Sequence, residues 1–205
     1  MKIERRGVIL VICAPSGTGK STLIKRLMKE YSNIAFSVSC TTRKPRAGEV
    51  DGKDYHFLDK DEFLRRRDAG FFAEWANVHD NFYGTPKQAT LDFLEQGRDL
   101  LFDIDVQGAN QLRQNLAQGA YIFIVPPSKK VLVERLVGRA TDAPEVIARR
   151  LDNARAELNE ARHFDYIIVN DVLELAYYDL RAIYLAERTK RESLPGVLDR
   201  LLAEW

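Results

Sequence analysis

Two periodicities alternate along the chain. Val8 to Cys13 is an unbroken apolar run, the pattern of a strand buried on both faces. Leu23, Ile24, Leu27 and Met28 then recur at helical spacing. The alternation resumes later: a strand over Leu100–Asp105, a helix over Gly108–Leu116, a strand over Tyr121–Val125, and a helix from Ser128 to about Val137. A long helix, Glu145 to Arg162, a last strand, Tyr166–Val169, and a helix after Asn170 follow. Strands alternating with helices predict a parallel α/β sheet with right-handed crossovers.

Residues 36–96 have a different texture. Short strands are predicted at Ala35–Ser39, Asp54–Leu58 and Phe71–Val78, with a turn over Asn81–Thr85. A helix near 60–68 has Asp59 or Asp61 as its cap and Gly70 at its end, and Pro86 opens another that closes near Gly97. Gly138 to Pro144 interrupts the later pattern. The expected architecture is a parallel sheet flanked by helices, with core segments 1–35, 97–137 and 156–205. A mixed α+β insertion spans 36–96 and a small helical lid spans 138–155.

Composition narrows the function. At 205 residues and 45% hydrophobic, the chain can bury a core as one domain with insertions. Thirty-one basic residues against 30 acidic ones give a net charge of +1, no footprint for a nucleic acid polymer or an anionic membrane. Arg65-Arg66-Arg67, the one dense basic run, reads as a solvated helix face. Cys13 and Cys40 make neither a metal spacing nor a disulfide framework, and His56, His79 and His163 are scattered. Lys2, Arg5 and Arg6 before an apolar run mimic a signal peptide, but that run is short and leads straight into a Gly-rich segment. A cytoplasmic protein is expected. Val197, Leu198, Leu201, Leu202 and Trp205 form an apolar helical face that docks on the core or on a second subunit, leaving a monomer or a small homo-oligomer open.

The Gly-rich segment carries the strongest chemistry. Ala14-Pro15-Ser16-Gly17-Thr18-Gly19-Lys20-Ser21-Thr22 lies between the first strand and the first helix, the context of a phosphate-binding loop. Gly17 and Gly19 let successive N–H groups face one anion at a positive helix N-terminus. Lys20 then reaches the β- and γ-phosphates, and the Ser21 hydroxyl meets Mg²⁺. Ala14 stands where the pattern has Gly, which is acceptable at negative φ. The plain alternative is an ordinary strand-to-helix turn.

Further groups cluster around this loop in the expected topology. Asp103 and Asp105, two apart on a predicted strand, face one way and suit a hydrated Mg²⁺ or an arginine clamp, or else cap turns. Arg43 and Arg46 flank Pro45 as a second anion site, to which Tyr55 and Tyr83 add phenolic donors or simply aromatic core. Glu74 stands in an apolar stretch; its two oxygens match the adjacent N1–H and N2–H₂ donors of guanine, and Ser39 can donate to O6. A surface salt bridge is the alternative for Glu74. Arg139, Arg149 and Arg150 frame the candidate lid, where arginines close on a transferring phosphoryl group or stay solvated.

Together, Ala14–Ser21, Ser37-Val-Ser-Cys-Thr-Thr-Arg-Lys-Pro-Arg-Ala-Gly-Glu-Val-Asp-Gly-Lys-Asp-Tyr55, Glu74-Trp-Ala, Tyr83-Gly-Thr85, Asp103-Ile-Asp-Val-Gln-Gly108 and Ile168-Val-Asn-Asp171 resemble guanylate kinase over nearly the whole chain. The resemblance implies a stand-alone bacterial enzyme with a P-loop-type core, a nucleoside-monophosphate-binding insertion and a lid. It implies Mg²⁺-dependent phosphoryl transfer from ATP to GMP or dGMP. Carried over, Ser39 and Glu74 read guanine with Thr85 beside the base. Arg43, Arg46, Tyr55 and Tyr83 hold the GMP phosphate. Lys20, Arg139 and Arg150 act on the transferred group, with Asp103 and Asp105 orienting Mg²⁺ water or the arginines, and Asn170 seats adenine. A non-catalytic binding module of the same family should lack the phosphate loop. A related ribose bisphosphate kinase should not need Ser39 and Glu74.

Overall fold

The computed structural model describes residues 5–78, 80–116, 118–138 and 144–205. The first strand, β1 (Ile9–Cys13), is buried along its whole length, and α1 (Lys20–Glu30) follows the phosphate loop. Then come β2 (Ile34–Phe36), β3 (Cys40–Thr41), β4 (His56–Phe57), α2 (Lys60–Asp68), β5 (Phe72–Val78), β6 (Asn81–Pro86) and α3 (Lys87–Glu95). The later units are β7 (Asp99–Asp103), α4 (Val106–Asn115), β8 (Ala120–Val125), α5 (Lys129–Val137), α6 (Pro144–Glu160), β9 (Tyr166–Val169), α7 (Leu173–Thr189) and α8 (Val197–Leu202). Caps place several of these starts: the Asp59 side chain accepts from Glu62 N–H to open α2, and Ser128 accepts from Val131 N–H to open α5.

Five parallel strands form the main sheet in the order β2-β7-β1-β8-β9. Because side chains alternate along a strand, β1 feeds two cores. Leu10 and Ile12 pack with Leu23, Leu27, Leu180 and Tyr184 beneath α1 and α7. Ile9, Val11 and Cys13 pack with Leu94, Phe102, Leu112 and Phe123 beneath α3 and α4. The phosphate loop, Asp103 and Asn170 therefore lie together at the carboxyl ends of the strands, where open α/β sheets bind ligands.

The insertion carries its own sheet, ordered β4-β3-β6-β5. Its small core is aromatic: Phe63 stacks on Phe72 at 4.4 Å and on Phe82 at 5.4 Å between ring centroids. Asn81–Thr85, expected as a turn, is instead part of strand β6, antiparallel to β5. The reversal falls earlier, between Val78 and Asn81, where Asp80 takes φ 63. Gly84 reads as turn chemistry in sequence, yet here it makes room, since a Cβ would lie 3.0 Å from the Phe72 ring. Among the described residues, no helix is long and apolar enough to cross a membrane.

Candidate active site

Three structural devices hold the phosphate loop. Gly17 and Gly19 both adopt φ +90, a conformation open to glycine, and Gly19 caps α1. Neighbouring side chains close over them: a Cβ on Gly17 would sit 3.0 Å from Leu136, and one on Gly19 would sit 2.4 Å from the Asn170 amide nitrogen. Thr18 is buried and donates its hydroxyl to Pro15 C=O at 2.9 Å. Asn170, also buried, donates to Thr18 C=O at 2.7 Å, and Arg135 donates to Asn170 C=O at 2.9 Å. Asn170 thus braces the loop from β9. Ala14 keeps out of the left-handed region, so the departure from Gly carries no backbone strain. Ser21 and Thr22 are exposed at the start of α1.

Lys20 forms an ion pair with Asp103, the last residue of β7. Asp105 does not share that position. The strand ends at Asp103, and Asp105 is the N-cap of α4, accepting from Gly108 N–H at 2.8 Å. The expected same-face pair is replaced by one strand-end acid and one helix cap. Cys13 donates its thiol to Ile104 C=O at 3.1 Å across this bend. Burial pushes that thiol up to about 12, against the lowering effect of Lys20, so it stays protonated.

Glu74 is buried at 6% exposure, which removes a surface salt bridge as its explanation. Its Oε1 accepts from the Thr85 hydroxyl at 2.7 Å, and Thr85 Oγ1 lies 3.3 Å from Ser39 Oγ. Burial pushes the Glu74 carboxyl up, Thr85 pulls it down, and the charge of Asp105 pushes it up again. Gly108 permits this approach of insertion to core: a Cβ there would lie 3.3 Å from Glu74 Oε2 and 3.4 Å from Asp105 Oδ1.

The loop bearing Arg43 and Arg46 is held by Glu49, a residue given no role above. Glu49 takes two hydrogen bonds from Arg43 at 2.8 and 3.0 Å and one from Arg46 N–H at 2.7 Å, fixing the loop around Pro45. The Arg43 hydrogen bonds, with the one from Arg46 N–H, hold the Glu49 carboxyl below its usual range. The Arg43 guanidinium lies 5.5 Å from the Tyr55 ring, and Tyr55 lies 6.0 Å from Tyr83. Arg46 itself is exposed.

Arg139 lies outside the described residues. Arg150 is half-buried on α6, two turns before Glu157 and on the same side of the helix. Burial raises the Glu157 carboxyl, while the charge of Lys20 lowers it and that of Asp105 raises it. Among the described residues, no group of three or more His, Cys, Asp or Glu is arranged to hold a metal ion.

A phosphate loop at the first βα turn, an acid beside its lysine, and a second sheet bearing a buried carboxylate and an arginine site define a P-loop nucleoside monophosphate kinase architecture. Comparison with known proteins narrows this. The sequence profile described as guanylate kinase matches residues 5–187. A guanylate kinase of Nitratidesulfovibrio vulgaris is 63% identical over 202 residues, covering 98% of each chain. One of Lawsonia intracellularis is 50% identical over 199 residues, covering 97% of this chain and 94% of its own. The crystal structure of guanylate kinase from Anaplasma phagocytophilum matches with a TM-score of 0.71 at 36% identity, covering 98% of this chain and 96% of that one. The chain belongs to the guanylate kinase family.

Proposed function

We infer that the chain is an ATP:GMP phosphotransferase, moving the γ-phosphoryl group of ATP to GMP or dGMP to give ADP and GDP. The observation that carries this is a pair of sites on either side of the turn from β7 to α4, where Gly108 leaves room for Glu74 beside Asp105. One is a phosphate loop whose lysine pairs with Asp103, and the other is a buried carboxylate wired to Thr85 and Ser39.

In this reading residues 14–22 wrap the ATP phosphates, with Asn170 fixing the loop and flanking adenine. Glu74 accepts from guanine N1–H and N2–H₂, while Ser39 and Thr85 complete the base edge. Arg43, Arg46, Tyr55 and Tyr83 hold the GMP phosphate, and Asp105 sets the α4 end of that site. The donors near Lys20 suit Mg²⁺, since Ser21 offers a hydroxyl and Asp103 a carboxylate, hard oxygens of the kind that ion takes alongside phosphates and water. Held there with ATP, Mg²⁺ would supply charge neutralisation for phosphoryl transfer. Lys20, Arg139 and Arg150 stabilise charge on the transferred group, where electrostatics provide most of the catalysis. The attacking GMP phosphate oxygen is already ionised at neutral pH, so the chain needs no general base. Residues 36–96 and 138–155 close towards the core to exclude water.

The test is ADP release from ATP against GMP, dGMP, AMP, CMP and a ribose bisphosphate. GMP and dGMP should lead, and no turnover with any acceptor would leave a binding module instead. Lys20→Ala should lower kcat by about two to three orders of magnitude with an unchanged melting temperature. Near-normal turnover in that variant would overturn the phosphate-loop assignment.

A further inference from the structure

In the insertion's sheet β5 is an edge strand, and its outer edge would leave backbone groups unpaired. The core helix α4 pairs them instead. Gln111 accepts from Trp75 N–H at 3.0 Å and donates to Trp75 C=O at 2.9 Å, so its amide mimics a neighbouring strand. One turn later, Asn115 donates to Ala73 C=O at 2.9 Å. Ala73 and Trp75 are the residues on either side of Glu74.

The same place is irregular. Phe72 opposes Pro86 and Glu74 opposes Thr85, so Ala73 is an extra residue, a β-bulge beside the buried carboxylate. Bulges re-aim side chains and often adjoin active sites. Here the bulge sets where Glu74 points, and Asn115 holds the bulge's carbonyl. α4 is itself fixed in the core by Ala109 and Leu112, and its Gly108 leaves room for Glu74 Oε2.

We propose that Gln111 and Asn115 are positioning residues for base selection, through which the core helix dictates where the Glu74 carboxylate stands. The proposal rests on the reading of Glu74 as the group that contacts the base. Neither side chain touches substrate; both act through the β5 backbone.

The experiment measures kcat and KM for GMP and for inosine monophosphate, whose base lacks the 2-amino group, together with KM for ATP and the melting temperature. The variants are Gln111→Met, Asn115→Ala and, as reference, Glu74→Gln. Losing a hydrogen bond worth about 1 kcal/mol corresponds to roughly a fivefold change. Gln111→Met, which removes two, should cut the preference for GMP over inosine monophosphate about five- to tenfold, mainly through KM for GMP, with KM for ATP within about twofold. Asn115→Ala should cut it about two- to fivefold. A lower melting temperature with an unchanged preference in both variants would make the contacts merely structural and overturn the proposal. Should Gln111→Met fail to fold, Asn115→Ala, at the exposed end of α4, decides by the same ratio. If Glu74→Gln itself leaves the preference unchanged, the base reading fails and this proposal falls with it. If that variant abolishes the preference while the α4 variants keep it, only the proposal fails.

Discussion

Asp99 and Glu74 are both carboxylates taken out of water, at 0% and 6% exposure, yet their surroundings are opposite. Asp99 opens β7 at the amino ends of the strands. It receives two hydrogen bonds from Arg5 at 2.7 and 2.8 Å, and one each from Val8 N–H, Asn33 and the Tyr184 hydroxyl. Burial alone would raise its carboxyl, but Arg5, Tyr184, Val8 and Asn33 outweigh that and hold it low. Glu74 has the Thr85 hydroxyl, and no cation faces it among the described residues. Burial wins there, and its carboxyl is raised. A fully satisfied buried acid is a structural tie between the N-terminal segment, β7 and α7. An under-satisfied one is a cost accepted where a ligand can supply the missing donors.

The contrast breaks most visibly at Asp99. Asp99→Asn leaves Arg5 facing an amide in a buried site, and breaking such a pair costs about 3–5 kcal/mol. In a domain of this size that is a fall of roughly 6–20 °C in melting temperature, measured by thermal unfolding. The KM values of surviving enzyme should stay near normal, because the tie lies at the end of the sheet away from the nucleotides. A variant that loses GMP affinity but no stability would reverse the roles assigned to the two acids.

Glu74→Gln should do the opposite. On the proposed reading of Glu74, the new amide sets a donor against a guanine donor, and an unsatisfied buried group costs about 1–3 kcal/mol, more where charge is involved. GMP kcat/KM should fall by about one to three orders of magnitude at about 1.4 kcal/mol per tenfold. AMP, whose N1 can accept from the amide, should lose far less. Equal losses for GMP and AMP would show that Glu74 does not read the base. Stability should not drop, since the substitution removes a buried charge.

The smallest effect, and the finest test, is the pH dependence of stability. The folded Asp99 carboxyl titrates below its unfolded value of 3.8. Its contribution is therefore complete at neutral pH and is lost as pH falls below that value. The Glu74 carboxyl titrates above 4.5 when folded. Its contribution is complete below 4.5 and is lost as pH rises through the folded value. Melting temperatures from about pH 4 to about pH 8 should show Glu74→Gln equal to the parent in acid and slightly more stable at neutral pH. Asp99→Asn should keep a constant deficit across that range, and the deficit should narrow only below pH 3.8. A Glu74→Gln deficit that grows with pH would mean the carboxylate has a cation partner after all.

What the sequence determined by itself is whatever short-range physics dictates. Val8–Cys13 is apolar at every position, so it is buried wherever it lies. The loop from Ala14 to Ser21 needs glycines at φ +90 and a helix start, all within a few bonds of one another. The caps at Asp59 and Ser128 act three residues away. These were legible without a structure. The tertiary structure decided whatever depends on partners distant in the chain. Asn81–Thr85 has turn-like composition and becomes a strand because β5 and β3 pair with it. Asp105 has the spacing of a strand acid and becomes a helix cap because β7 ends two residues earlier. Asp99 finds Arg5 and Tyr184 across 94 and 85 residues, and Gln111 reaches Trp75 across 36. The reason is that a side chain's local pattern fixes its own backbone, whereas the donors that meet a buried carboxylate are set by which elements pack together.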